Sequence, residues 1–131
     1  MFNKRKQPPI KSLIAQGSQI TGNVRFTDGL RIDGTLVGDI HASEDQPSIL
    51  VVSESASVTG ALHADHIIIS GTVKGPVHAN LMLELQPKAR IEGDVHYRAL
   101  EMHQGAIIAG QLLPQGGIDA KPLLKLAANN P

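Results

Sequence analysis

Short runs in which aliphatic side chains fall on every second position recur along the chain, as at Leu30 and Ile32, Ile67 and Ile69, Leu83 and Leu85, and Leu100 and Met102. A period of two is that of a strand buried on one face. The runs are punctuated by glycine, any residue, then an aliphatic: Gly22-Asn23-Val24, Gly38-Asp39-Ile40, Gly60-Ala61-Leu62, Gly75-Pro76-Val77, Gly93-Asp94-Val95 and Gly110-Gln111-Leu112, at intervals of 16, 22, 15, 18 and 17 residues. The long interval contains the polar run "SEDQPS", residues 43–48, which reads as a loop extruded from one corner. The period is therefore close to 17 with one insertion. Successive copies match column by column, since Leu83, Leu85, Ile91 and Val95 are followed 17 residues on by Leu100, Met102, Ile108 and Leu112. Over a longer span "GTLVGDIHAS", from residue 34, returns 37 residues later as "GTVKGPVHAN".

Three short strands and their turns in about 17 residues describe one triangular coil of a parallel β-helix, whose coils bury an aliphatic core by stacking. The predicted architecture is all-β: a single-stranded parallel β-helix, a triangular solenoid of about six coils. Glycine in the corners supplies positive φ or room for a close turn. An up-and-down barrel would need hairpin signals that recur with the period, and Asp28-Gly29 and Asp33-Gly34 do not. The domain is expected over residues 12–114, between a leader, 1–11, and a C-terminal tail, 115–131. Stacked at ~4.8 Å, six coils make a rod of roughly 25 to 30 Å. Each end of such a rod exposes unpaired backbone and an apolar cross-section, and neither "NKRKQPP" nor "PQGGIDAKPLLKLAANNP" resembles a substantial cap. Ile20 and Val24 at one end, and Ile108 and Leu112 at the other, are the expected polymerisation surfaces.

Composition narrows the function. The chain is long enough for one domain with its own core, and its hydrophobic residues are aliphatic rather than aromatic, with no Trp, one Tyr and two Phe. Twelve basic side chains balance twelve acidic ones, so no global field gathers nucleic acid, and no aromatic platform stacks bases. The absence of cysteine excludes disulfides, thiolate metal sites and a thiol nucleophile, and fits the cytoplasm. No stretch approaches the ~20 apolar residues of a spanning helix. Neither a G-x-x-x-x-G-K-[ST] phosphate loop nor a dinucleotide fingerprint occurs, so no nucleotide and no other cofactor is expected.

Histidine is the remaining chemical signal. His41, His63, His78 and His96 each follow the aliphatic of the glycine unit and so form one column. The chemical readings are a catalytic base, as in the left-handed β-helix acyltransferases, or a ladder of metal ligands. A base needs one privileged position with a partner and a pocket, whereas a column supplies four alike, so these rings are expected to point outward into solvent. His63 and His66 of "HADH" lie on opposite faces of a strand and would meet only across a corner. Asp33 and Asp39 beside Arg31, and Glu92 and Asp94 beside Arg90, read as solvated charges. No catalytic, cofactor-binding or metal site is expected. "PLLKLAA", residues 122–128, is too short to hold a helix in water and reads as a frayed tail.

Over about residues 12–113 the chain resembles the bactofilins, bacterial polymer-forming cytoskeletal proteins, through "GSQITGNVRFTDGLRIDGTLVGDI", "IIISGTVKGPVHANLMLELQPKARIEGDV" and "LEMHQGAIIAGQL". The resemblance implies a right-handed β-helix with disordered tails that polymerises end to end without nucleotide. It also implies a scaffold for cell-shape, envelope or peptidoglycan enzymes, peripheral on the inner face of the cytoplasmic membrane. In members that bind membranes directly, a short N-terminal motif beginning Met-Phe and rich in Lys does so. Met1, Phe2, Lys4, Arg5 and Lys6 match it and are expected to meet an anionic membrane surface. Two readings from other classes stand beside this one: a β-helix acyltransferase-like enzyme, with sites between protomers of a trimer, and a non-polymerising adaptor.

Overall fold

The computed structural model describes residues 7–116, and every regular element there is a strand. β1 (Ile10–Ile14), β2 (Gln19–Thr21) and β3 (Val24–Phe26) form the first coil, and β4 (Asp28–Ile32), β5 (Thr35–Val37) and β6 (Ile40–Ala42) the second. The third comprises β7 (Ser48–Val52), β8 (Ser57–Thr59) and the first half of β9 (Leu62–Ile69). The rest of β9, β10 (Thr72–Lys74) and the first half of β11 (Val77–Leu85) make the fourth. The fifth takes the rest of β11 with β12 (Arg90–Glu92) and β13 (Val95–Tyr97), and the sixth β14 (Ala99–Met102), β15 (Ile107–Ala109) and β16 (Leu112–Pro114). All pairings are parallel and join each strand to its counterpart one coil away, so the fold is the expected six-coil β-solenoid. β9 and β11 round a corner unbroken, which joins the strands of two faces into one ten-stranded sheet beside a six-stranded one.

Each face contributes its columns to the core. On the first, Leu36, Val58, Val73 and Ile91 stack fully buried; on the second, Ile40, Leu62, Val77 and Val95; on the third, Leu50 and Val52, Ile67 and Ile69, and Leu83 and Leu85. The matches 17 residues apart are register partners: Leu83 with Leu100, Leu85 with Met102, Ile91 with Ile108, and Val95 with Leu112. A second column on the second face runs Phe26, Ala42, Ala64, Ala79, Tyr97, with small side chains in the middle coils and rings toward both ends.

Backbone contact rules the corner between the first two faces. Gly38, Gly60, Gly75 and Gly93 hold φ near +145° (149, 147, 148 and 144). A Cβ at each would lie only 2.0, 1.9, 2.2 and 2.5 Å from the carbonyl oxygen of the glycine one coil earlier. The next residue adds a side-chain rung: the Asp39 N–H donates to Asn23 Oδ1 (3.0 Å), the Ala61 N–H to Asp39 Oδ1 (2.9 Å) and the Gln111 N–H to Asp94 Oδ1 (3.0 Å). Asp39 and Asp94 therefore tie coils together, where the sequence suggested solvated charges; Asp33 does pair with Arg31 at 2.9 Å. Ala61, which has no side-chain acceptor to offer, lies one coil before Pro76, which has no N–H to satisfy.

The corner before the first face explains the 37-residue echo. Four coils turn it widely, through residues 15–18, 53–56, 86–89 and 103–106, each closed by a bond from the last N–H to the first carbonyl of 3.0 to 3.2 Å. The second and fourth coils cut it short at Gly34 and Gly71, tucked beneath the wide turn before; a Cβ there would approach Ala15 O to 2.5 Å and Ser53 O to 2.2 Å. The repeated stretches are thus the two tight-cornered coils, and the loop predicted at residues 43–48 is the link from β6 to β7.

These contacts rank two glycine substitutions. Gly60→Ala should cost about 4 kcal/mol or more, because strain at positive φ is joined by a backbone overlap that only wider coil spacing relieves. Gly22→Ala, at φ 134 but with nothing within 4 Å of the new methyl, should cost about 1 to 2 kcal/mol. Thermal melts followed by circular dichroism should show that order, and equal losses would contradict it.

Candidate functional site

Three surfaces stand out, and the first is the pair of coil ends. Ile20 and Val24 on the first coil, and Ile108 and Leu112 on the last, are half-buried against the core, and among the described residues no further coil covers them. Met102 and Ile107 on the last coil are 41% and 53% exposed. Backbone groups of these terminal strands have a ladder partner on one side only. The geometry is that of an apolar cross-section left open.

The histidine column is the second. His41, His63, His78 and His96 point outward from the second face, as expected, but they stack on one another rather than standing apart in solvent. Ring centroids are 4.7, 4.3 and 4.2 Å apart, with interplanar angles of 17°, 3° and 10°. In-register coils impose this, because the ~4.8 Å strand spacing is close to the contact distance of flat rings. Nδ1 of His63 is buried and has no hydrogen-bond partner among the described residues. Burial, followed by repulsion from His41, holds His63 below the usual histidine pKa despite the nearby carboxylates of Asp39 and Glu44. Burial, then His63 and His96, does the same for His78. The rings differ in setting: Nε2 of His41 lies 3.3 Å from Oε2 of Glu44, whereas His63 has the unpartnered nitrogen.

The third surface is one that column matching did not reveal. On the third face Glu84 and Glu101 are register partners, and Oε2 of Glu101 lies 3.0 Å from Nε2 of His103. One ligand atom from each of Glu84, Glu101 and His103 falls within 4.8 Å of the others. His66, around the corner from the stacked His63, contacts Oε1 of Glu84 through Nε2 at 3.1 Å. Gln7 donates to the other ring nitrogen of His66 at 3.0 Å, although β1 lies three coils away. The leader therefore climbs the outside of this face, over Gly29, and Ile49 between Gly29 and His66 in the register is only 6% exposed. A signal was present in the spacing of Glu84 and Glu101, 17 apart, but His66 joins them only because the pairing slips by one residue between Ala79 and Met82. Met1, Phe2, Lys4, Arg5, Lys6 and residues 122–128 lie outside the described residues.

A repeated parallel coil, open at both ends, with this order of motifs is matched by a family model described as "Bactofilin: Polymer-forming cytoskeletal", over residues 12–113. The chain belongs to the bactofilin family. The match covers nearly the whole solenoid and identifies a polymer-forming cytoskeletal protein that self-assembles into filaments. Among curated proteins the chain is similar to bactofilin BacO of Myxococcus xanthus (strain DK1622), 26% identical over 111 residues, which cover 85% of each chain. No solved structure matches. Among the described residues no helix is long and apolar enough to cross a membrane.

The stack should give this bactofilin a stability that depends on pH. With folded-state pKa values of His63 and His78 below the ordinary ~6.5, both states are neutral above that value, while below it the unfolded chain takes up protons the folded one refuses. Stability should thus fall as pH drops below about 6.5, until the folded pKa values are passed. Replacing His41, His63, His78 and His96 together by Gln should leave the fold intact at pH 7 and flatten the decline. Melting temperatures between pH 7.5 and 5 check this; an equally steep decline in the fourfold variant would place the acid sensitivity elsewhere.

Proposed function

We propose that the chain builds end-to-end filaments without nucleotide, lies along the inner face of the cytoplasmic membrane through residues 1–6, and there holds envelope or peptidoglycan enzymes in place. The observation that carries the filament geometry is the pair of open ends, where Ile20, Val24, Ile108 and Leu112 are packed from one side only. A joint of about 800 Å² per partner, largely apolar, suffices for a stable contact. Attachment through the leader does not compete with stacking. Gln7, the first described residue, sits beside His66 on the side of the rod, away from its ends. Met1 and Phe2 bring at most about 1.5 to 3 kcal/mol each when fully buried, and each basic residue about 1 kcal/mol against anionic lipid. One copy binds weakly, and a filament presenting many copies binds firmly.

Leu112→Arg places an unpaired charge in the joint and should leave folded monomers or dimers in sedimentation and negative-stain microscopy, whereas wild-type filaments should form with no ATP or GTP. Filaments that persist unchanged in the variant, or a nucleotide requirement, would refute the end-to-end reading.

Phe2→Ser, or deletion of residues 2–6, should release filaments from anionic liposomes without dissolving them, and Leu112→Arg should weaken liposome binding with the motif intact. Co-sedimentation reads both. Undiminished binding after loss of Phe2 and the three basic residues would locate the anchor elsewhere.

A further inference from the structure

Glu84 and Glu101 project side by side from consecutive coils, in register between β11 and β14. Like charges directly opposite one another destabilise a sheet. Elsewhere on the rod carboxylates have been given partners: Lys11 lies 2.9 Å from Asp28, Arg31 2.9 Å from Asp33, and Asp39 and Asp94 accept backbone N–H groups. Among the described residues no lysine or arginine pairs with Glu84 or Glu101. Their neighbours are an amide and two imidazoles instead. Gln86 Nε2 lies 3.4 Å from Glu84 Oε2 and His66 Nε2 3.1 Å from Oε1, so both oxygens are steered. With the Gln7 amide donating to Nδ1 of His66, the ring carries its proton on Nε2, toward the carboxylate. Glu84 is thereby fixed from behind, and the imidazole of His103 closes the third side.

We propose that Glu84, Glu101 and His103 bind a divalent transition-metal ion, Zn²⁺ being the one this donor set suits, with His66 positioning Glu84. Two carboxylates and an imidazole leave a fourth position to water, a common zinc arrangement, while the imidazole disfavours Mg²⁺ and Ca²⁺, which take oxygen. Ligands about 2.1 Å from a tetrahedral ion lie about 3.4 Å apart, so the set must draw in from its present spread. Glu101 and His103, with side chains 49% and 41% exposed, have the freedom to do so. The ion would neutralise the facing carboxylates and bind β11 to β14, fastening the sixth coil to the fifth. That coil carries Ile108 and Leu112, so metal would firm one of the two open ends.

The test is Zn²⁺ titration of the metal-stripped full chain by isothermal calorimetry, with melting temperature as a second reading. One Zn²⁺ per chain at micromolar metal is expected, with little uptake of Mg²⁺ at the same concentration. Glu101→Gln and His103→Gln, at exposed positions, should each weaken binding by about 10- to 100-fold and abolish the zinc-dependent rise in melting temperature. His66→Leu should weaken zinc less, and His66→Gln, which keeps a donor, should restore it. The fourfold Gln variant of the histidine stack should bind as the wild type does. No uptake at micromolar metal, uptake untouched by Glu101→Gln and His103→Gln, or uptake lost with the stack would overturn the proposal. Because binding is counted per chain in filaments or monomers alike, the outcome is independent of the end-to-end reading.

Discussion

The approach of one coil's backbone to the next, at the corner lined by Gly22, Gly38, Gly60, Gly75, Gly93 and Gly110, is the constraint on which the rest of this solenoid depends. A Cβ at Gly60 would sit 1.9 Å from the Gly38 carbonyl oxygen, so this corner has no room for a side chain at the strand spacing. Holding that spacing at one corner holds it at the others, and every column of the fold follows. Aliphatic columns become a continuous core, Asx side chains come within reach of the next coil's N–H, and outward residues of one type are forced into contact with their own kind. The third consequence cuts both ways. It stacks four imidazoles face to face, and it sets Glu84 against Glu101.

Much of this was legible in the sequence because a solenoid turns sequence spacing directly into spatial contact. Leu83 and Leu100, or Ile91 and Ile108, could be paired by counting, and the glycine units marked the coils. Counting failed where contact does not follow the column. Asp39 and Asp94 looked like surface charges because their partners are backbone groups, which a residue pattern does not display. His66 reaches Glu84 through a slip in register, and Gln7 reaches His66 across three coils. The unbroken passage of β9 and β11 around a corner was also hidden, since "HADH" and "HANL" carry no glycine or proline to mark the bend.

The histidine stack shows how a repeated residue acquires properties that none of its copies has alone. An isolated outward histidine would titrate near its ordinary pKa and contribute little. Packed at 4.2 to 4.7 Å, the rings shield His63 and His78 from water, and a proton on a neighbouring ring opposes one on either. The register that creates the stack does not make its members equivalent, since the outer rings stack on one side only and His41 alone has Glu44 at 3.3 Å. The Glu84, Glu101 and His103 group is the less symmetrical of the two surfaces. It combines two residues of a column with one from the adjacent column, and a leader residue orders its edge through His66.

Gly22 is the rung of the corner with an open side. A methyl group placed there would meet nothing within 4 Å, whereas its counterparts at Gly38 and Gly60 would strike backbone. Among the described residues nothing crowds the Gly22 position, so a backbone abutting it there could come as near as coils do inside the rod. In mechanical terms a joint formed there need not be a soft link between stiff segments. The filament could resist bending at its joints as it does along its protomers, behaving as one continuous beam rather than a jointed chain.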